Sequence, residues 1–102
     1  MAILILEREV EKKVRMYAQL KGVWFRKFVT PGMRFSPDRM LVAKHGTILM
    51  LEVKKPGEKP NGGQLRELER WRHRSIRADW FDTVEKGKAL IDELVEYDAN
   101  NK

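Results

Sequence analysis

The chain has no cysteine. That excludes disulfides and thiolate metal sites, and fits a reducing compartment, expected here to be the cytoplasm. Histidine is nearly as scarce: His45 and His73 have no partner at metal-ligand spacing. No apolar run approaches the ~20 residues of a membrane span. The apolar opening, residues 1–6, lacks a basic leader and runs straight into Glu7 and Arg8, so it does not read as a signal peptide. Internal repeats and low-complexity tracts are absent too. Acidic residues are few only in part of the chain. Residues 1–77 hold 18 Lys/Arg against 8 Asp/Glu, a net +10, while residues 78–102 hold 3 against 7, a net −4. The total of +6, with a pI near 9.8, points to a polyanionic partner.

What is present is enough for one domain over residues 1–102, with a single core: 102 residues, 42% hydrophobic, 35% charged, mean hydropathy −0.56. The stretch 37–54 organises the rest. Asp38 follows Pro37 and opens the β-prone run Arg39 to Ala43. Thr47 to Leu51 leads into Glu52-Val53-Lys54, and His45-Gly46 reads as a two-residue hairpin turn. Pairing of these runs brings Asp38 close to Glu52 and Lys54. Those two lie two apart on one strand, so they share a face, roughly 6–7 Å apart.

Around this hairpin, Ile3, Leu6, Val10, Val14, Tyr17 and Leu20 recur at helical spacing over residues 3–21, and Gly22 stops that helix. Val23 to Val29 is an aromatic, β-branched strand ended by Thr30-Pro31-Gly32. Residues 55–63 form a Pro/Gly-rich loop. Asn61 caps a helix to about Arg74, with Leu65, Leu68 and Trp71 as its buried edge. Ile76 to Phe81 is a fourth strand. Asp82 or Thr83 caps a last helix, buried through Val84, Leu90, Ile91 and Leu94, and residues 97–102 are expected to fray. The order α-β-β-β-α-β-α predicts an α/β fold, a mixed sheet flanked by helices.

Two carboxylates and an ammonium at one sheet end suit phosphodiester hydrolysis. A hard divalent cation such as Mg²⁺ takes one or two carboxylates plus water and substrate phosphate, and Mn²⁺ accepts the same oxygens. Asp38 and Glu52 supply the carboxylates, the Val53 carbonyl is a possible third oxygen, and Lys54 can hold or deprotonate the attacking water. Each residue also has an ordinary reading: a turn-initiating Asp, or a solvated Glu-x-Lys ion pair. Their convergence favours chemistry.

Pro37-Asp38 followed by Glu52-Val53-Lys54 matches the PD-(D/E)XK nuclease motif. With a Glu on the first helix, Gly22 before a strand ending in Lys27, Lys55-Pro56-Gly57 after the motif, and Gln64 opening the next helix, the chain from about Glu7 to Leu94 resembles the virus-type replication-repair nuclease (VRR-Nuc) domain. The likeness is to its small stand-alone phage and bacterial members. It implies metal ligands at Asp38 and Glu52, a catalytic Lys54, an auxiliary acid at Glu11 (Glu7 being the alternative), and an orienting amide at Gln64. Asn61-x-x-Gln64 is also capping-box spacing, so that amide could instead serve the helix. Lys27, Arg39, Lys55, Lys12 and Arg66 are candidate DNA contacts. The resemblance further implies a homodimer acting on branched DNA such as four-way junctions. One departure stands out: the family commonly has glycine two positions before Pro37, where this chain has Phe35. A non-cleaving DNA-binding module and a structural adaptor are the rival readings. An intact Asp38, Glu52 and Lys54 argues against the first, since a decayed site usually loses a ligand, and the second leaves their convergence a coincidence. Trp24, Trp71 and Trp80 are expected in the core or a subunit interface.

Overall fold

The computed structural model describes residues 6–101. Its elements are α1 (Glu7–Leu20), β1 (Trp24–Lys27), β2 (Arg39–Val42), β3 (Ile48–Val53), α2 (Gly62–His73), β4 (Arg77–Phe81) and α3 (Val84–Asn100). The strands form one mixed sheet in the order β1-β2-β3-β4. The first three run antiparallel through short connections. β4 lies parallel to β3 because α2 carries the chain back across the sheet.

Strand alternation sorts the side chains into two layers. Leu41, Leu49, Leu51 and Val53 meet α1 and α3 on one face, packing with Val10, Val14, Ile91 and Leu94. Met40, Ile48 and Met50 meet α2 on the other, packing with Leu68 and Trp71. Glu52 continues the register of Met50, so its side chain belongs to the α2 face. Arg39 belongs with Leu41 to the α1 face.

Several expectations change. Ile3 and the helix start proposed there lie outside the described residues. The hairpin turn uses three residues, Lys44, His45 and Gly46, closed by Ala43 N–H to the Thr47 carbonyl at 2.9 Å. Gly46 takes φ +95°, the left-handed conformation such a turn requires. Leu65 is exposed rather than part of the buried edge of α2, and Leu20 and Trp24 are exposed as well. Trp24 stands on the free edge strand, with the Arg26 guanidinium 4.9 Å from its ring. Trp71 and Trp80 do pack in the core. Thr83, not Asp82, caps α3. That helix continues to Asn100 instead of fraying from residue 97, because Asp98 turns inward. Its carboxylate accepts the His45 and Thr47 amides at 2.8 and 3.2 Å and the Thr47 hydroxyl at 2.7 Å.

Candidate active site

The end of the hairpin opposite that turn gathers the chemistry-bearing residues. Buried Pro37 leads into Asp38, whose N–H donates to the Leu51 carbonyl at 3.1 Å and whose carbonyl accepts from Phe28 at 2.9 Å. Asp38 is thus tied to the strands on both sides. Arg39 pairs with Leu51 as the last rung of the β2–β3 ladder, and the Asp38 amide on that same Leu51 carbonyl holds Asp38 just beyond it, at the end of the strand that carries Glu52. Because the Leu51 carbonyl faces β2, Val53, two residues on, turns its amide and carbonyl the same way. There the Val53 N–H meets Asp38 Oδ1 at 3.3 Å. Lys54 faces the other neighbour and donates its N–H to Phe81 at 2.9 Å.

Glu52 is only 6% exposed. Gln64 reaches it from the first turn of α2, donating Nε2 to Glu52 Oε1 at 3.1 Å. The same amide accepts the Asn61 N–H through Oε1, while the Asn61 side chain accepts the Gln64 N–H, both at 2.9 Å. The capping box and the link to Glu52 therefore coexist, one using the amide oxygen and the other its nitrogen. Lys54 is largely covered, with Nζ 3.9 Å from Glu58.

The carboxylates are held under strain. Burial pushes Glu52 up to about 7, with repulsion from Asp38 and Glu7 adding to it and Lys54 opposing. Burial likewise raises Asp38, against the pull of Arg39 and the Val53 amide. Both shifts favour the protonated form, so a cation between the groups would relieve them. Glu7 is raised by burial and then by Asp38 and Glu58.

The two glutamates of α1 have different surroundings. Glu11 Oε1 accepts Arg15 Nη1 at 3.1 Å and Arg39 Nε at 3.2 Å. Arg39 in turn donates to the Asp38 carbonyl at 2.8 Å. Glu11 is therefore engaged with two guanidiniums and braces Arg39 while its charge also raises Asp38, and Glu7 is coupled to Asp38, Glu52 and Lys54. Sequence reasoning ranked Glu11 first. The available signal was weak, since both lie on one helical face a turn apart. Glu7, Arg8, Glu11, Arg39 and Lys55 line a cleft of ≈ 440 Å³ at this end of the sheet.

Among the described residues, no three carboxylate or imidazole groups form a ready metal cage. The donor set is instead two carboxylates with the Val53 carbonyl on the same side. That suits a cation that keeps water and phosphate in its remaining positions. Of the candidate DNA contacts, Lys12, Lys27, Lys55 and Arg66 are exposed, and Arg39 is half-buried within the Glu11–Asp38 network.

A mixed sheet with an Asp at the head of one strand and Glu-x-Lys at the end of the next defines a nuclease fold of the PD-(D/E)XK class. No protein-family model matches the chain. It is 44% identical over 64 residues to "Putative nuclease p44" of Acyrthosiphon pisum secondary endosymbiont phage 1, covering 63% of this chain and 69% of that protein. A solved structure described as a VRR_NUC domain is similar with a TM-score of 0.77 and 30% identity, over 84% of this chain and 94% of that one. The chain belongs to the VRR-Nuc family of nuclease domains.

Proposed function

We propose that this protein is a divalent-metal-dependent endonuclease of DNA that cuts branched substrates as a homodimer. The observation that carries the reading is the meeting of Asp38, Glu52 and Lys54 at one sheet end, with Gln64 bonded to Glu52. Asp38, Glu52 and the Val53 carbonyl would hold Mg²⁺ or Mn²⁺, which when bound polarises phosphate oxygen and lowers the pKa of water. Gln64 fixes the orientation of Glu52. Lys54 holds the water or takes its proton, and offsets charge gathering on phosphorus. Glu7 replaces Glu11 as the helix-one acid, and Glu11 acts through Arg39 on the Asp38 backbone. Lys12, Lys27, Lys55 and Arg66, all exposed, would contact phosphates, which predicts steep salt dependence of binding.

Two symmetric cuts across a junction call for two sites related by a twofold axis. The free edge of β1, with Trp24 and neighbouring Leu20 exposed, offers an apolar surface for a second copy.

The test is cleavage of end-labelled four-way junction, flap and linear duplex with Mg²⁺, Mn²⁺ or EDTA. Metal-dependent cutting is expected, and Lys54→Ala should lose about 10²–10⁴-fold in rate. Glu7→Gln should cost more rate than Glu11→Gln. Equal rates on junction and linear duplex would remove the branch preference, and a monomer in sedimentation would remove the dimer. Tight, salt-sensitive binding without any cutting would leave a DNA-binding module.

A further inference from the structure

We propose that Phe35 is a positioning residue whose ring, seated on Gly63, fixes the first turn of α2 against the loop that delivers Asp38. The inference rests on the nuclease reading above. A Cβ built on Gly63 would lie 2.6–2.7 Å from Phe35 Cδ2, Cε2 and Cγ, so the ring occupies the space a side chain would fill. Gly63 adjoins Gln64, which bonds Glu52, and Phe35 stands three residues before Asp38. One contact therefore joins the two halves of the site.

The joint matters because the first turn of α2 is entered through a loop and not from a strand. Residues 55–61 include Pro56, Gly57 and buried Pro60, with Glu58 N–H donating to the Lys55 carbonyl at 3.0 Å and Gly57 N–H to Asp82 Oδ2 at 3.2 Å. The loop bearing Phe35 is also held by its own contacts. Met33 N–H donates to the Thr30 carbonyl at 3.0 Å, the Thr30 and Ser36 hydroxyls are 3.1 Å apart, and the Arg34 guanidinium lies 5.6 Å from the Phe35 ring. Glu52 is a long side chain with several rotamers, and Gln64 selects one of them. The ring on Gly63 holds Gln64 at the height where it can do so. Phenylalanine at position 35 and glycine at position 63 thus act as one unit.

The experiment is a double-mutant cycle with Phe35→Ala and Gly63→Ala, read by thermal melting, by cleavage kinetics, and by the Gln64 side-chain amide signals in NMR of metal-free protein. Gly63→Ala should lower the melting temperature of the wild type. In the Phe35→Ala background it should raise it, because the clash is gone and alanine is the better helix former. Phe35→Ala should cut kcat by about 10- to 100-fold with KM for DNA within about twofold, as expected of displaced catalytic groups. Phe35→Tyr should restore the rate, and the Gln64 amide signals should move toward solvent values in Phe35→Ala only. A raised KM at unchanged kcat would overturn the proposal in favour of direct DNA contact. So would additive melting effects or unmoved Gln64 signals. If the wild type cuts no DNA, the nuclease reading fails by itself, while melting and NMR still decide whether the ring holds Gln64.

Discussion

Glu52 and Asp98 lie at opposite ends of the β2–β3 hairpin, 6% and 3% exposed respectively. Burial raises the pKa of a carboxylate at either place, yet the outcomes are opposite. At the turn, burial is outweighed by the Thr47 hydroxyl and the His45 and Thr47 amides, and Asp98 ends below its ordinary value. At the far end Glu52 has one neutral donor, Gln64, and two acidic neighbours, and is pushed up to about 7. Asp98 is satisfied by protein and needs nothing more. Glu52 and Asp38 stay raised although Lys54 and Arg39 pull against the shift, so their charged forms remain disfavoured. Hydrogen-bond supply, not burial, separates these two carboxylates.

The comparison breaks first at Asp98. Asp98→Ala leaves the His45 and Thr47 amides and the Thr47 hydroxyl without their acceptor, and loosens α3 from the hairpin. Its loss of melting temperature should exceed any gain described below. The sign with pH follows from the lowered value: the stabilising contribution is present above 3.8 and fades as pH falls through the still lower folded pKa. The penalty of Asp98→Asn, measured by melting across pH, should therefore be full at pH 7 and shrink below 3.8. A penalty independent of pH would mean that the charge of Asp98 contributes nothing.

Glu52→Gln should act in the other direction. The folded pKa is about 7 against an ordinary 4.5, so Glu52 favours the fold below 4.5 and loses that contribution as pH rises through 7. In EDTA at pH 8 the glutamine variant should be more stable than wild type by about 2 kcal/mol, an advantage that closes as pH falls. Cleavage should be lost in the same protein. Without a stability gain at pH 8, the contrast between the two carboxylates would collapse.

Much of this was legible in the sequence, and the failures share a cause. The hairpin, the order of elements and the convergence of Asp38, Glu52 and Lys54 follow from period-two alternation and turn residues, which are local signals. The Asn61-x-x-Gln64 spacing announced the capping box, and the box leaves Nε2 free to reach Glu52. What escaped depends on how distant elements dock. Glu7 and Glu11 share a helical face, and only the seat of α1 on the sheet couples Glu7 to Glu52 and sets Glu11 against Arg39 and Asp38. Asp98 reads as tail until α3 is seen to reach residues 45–47. Trp24 and Leu65 carry core-like chemistry, but β1 is an edge strand and α2 presents Leu65 outward. Phe35 read as a departure from its family until Gly63, in another element, was found beneath it.

The smallest expected effect sharpens the comparison from outside both ends. Ser75 follows α2 with φ +61°, a left-handed conformation, while Ile76 and Ser75 donate to the Trp71 and Arg72 carbonyls at 3.1 and 2.9 Å. This is a Schellman end, where glycine is the favoured residue. Ser75→Gly should stabilise the protein by about 1 kcal/mol, the left-handed cost of a side chain. Like Glu52→Gln, it removes a local strain. Unlike Glu52→Gln, it should leave cleavage and the pH profile of stability unchanged, because no charge or metal-facing group is involved. Stabilisation by both, with cleavage lost in Glu52→Gln and kept in Ser75→Gly, would separate strain held for chemistry from strain that merely persists at a helix end. A loss of activity in Ser75→Gly would instead mean that the end of α2 feeds back on Gln64 through the helix.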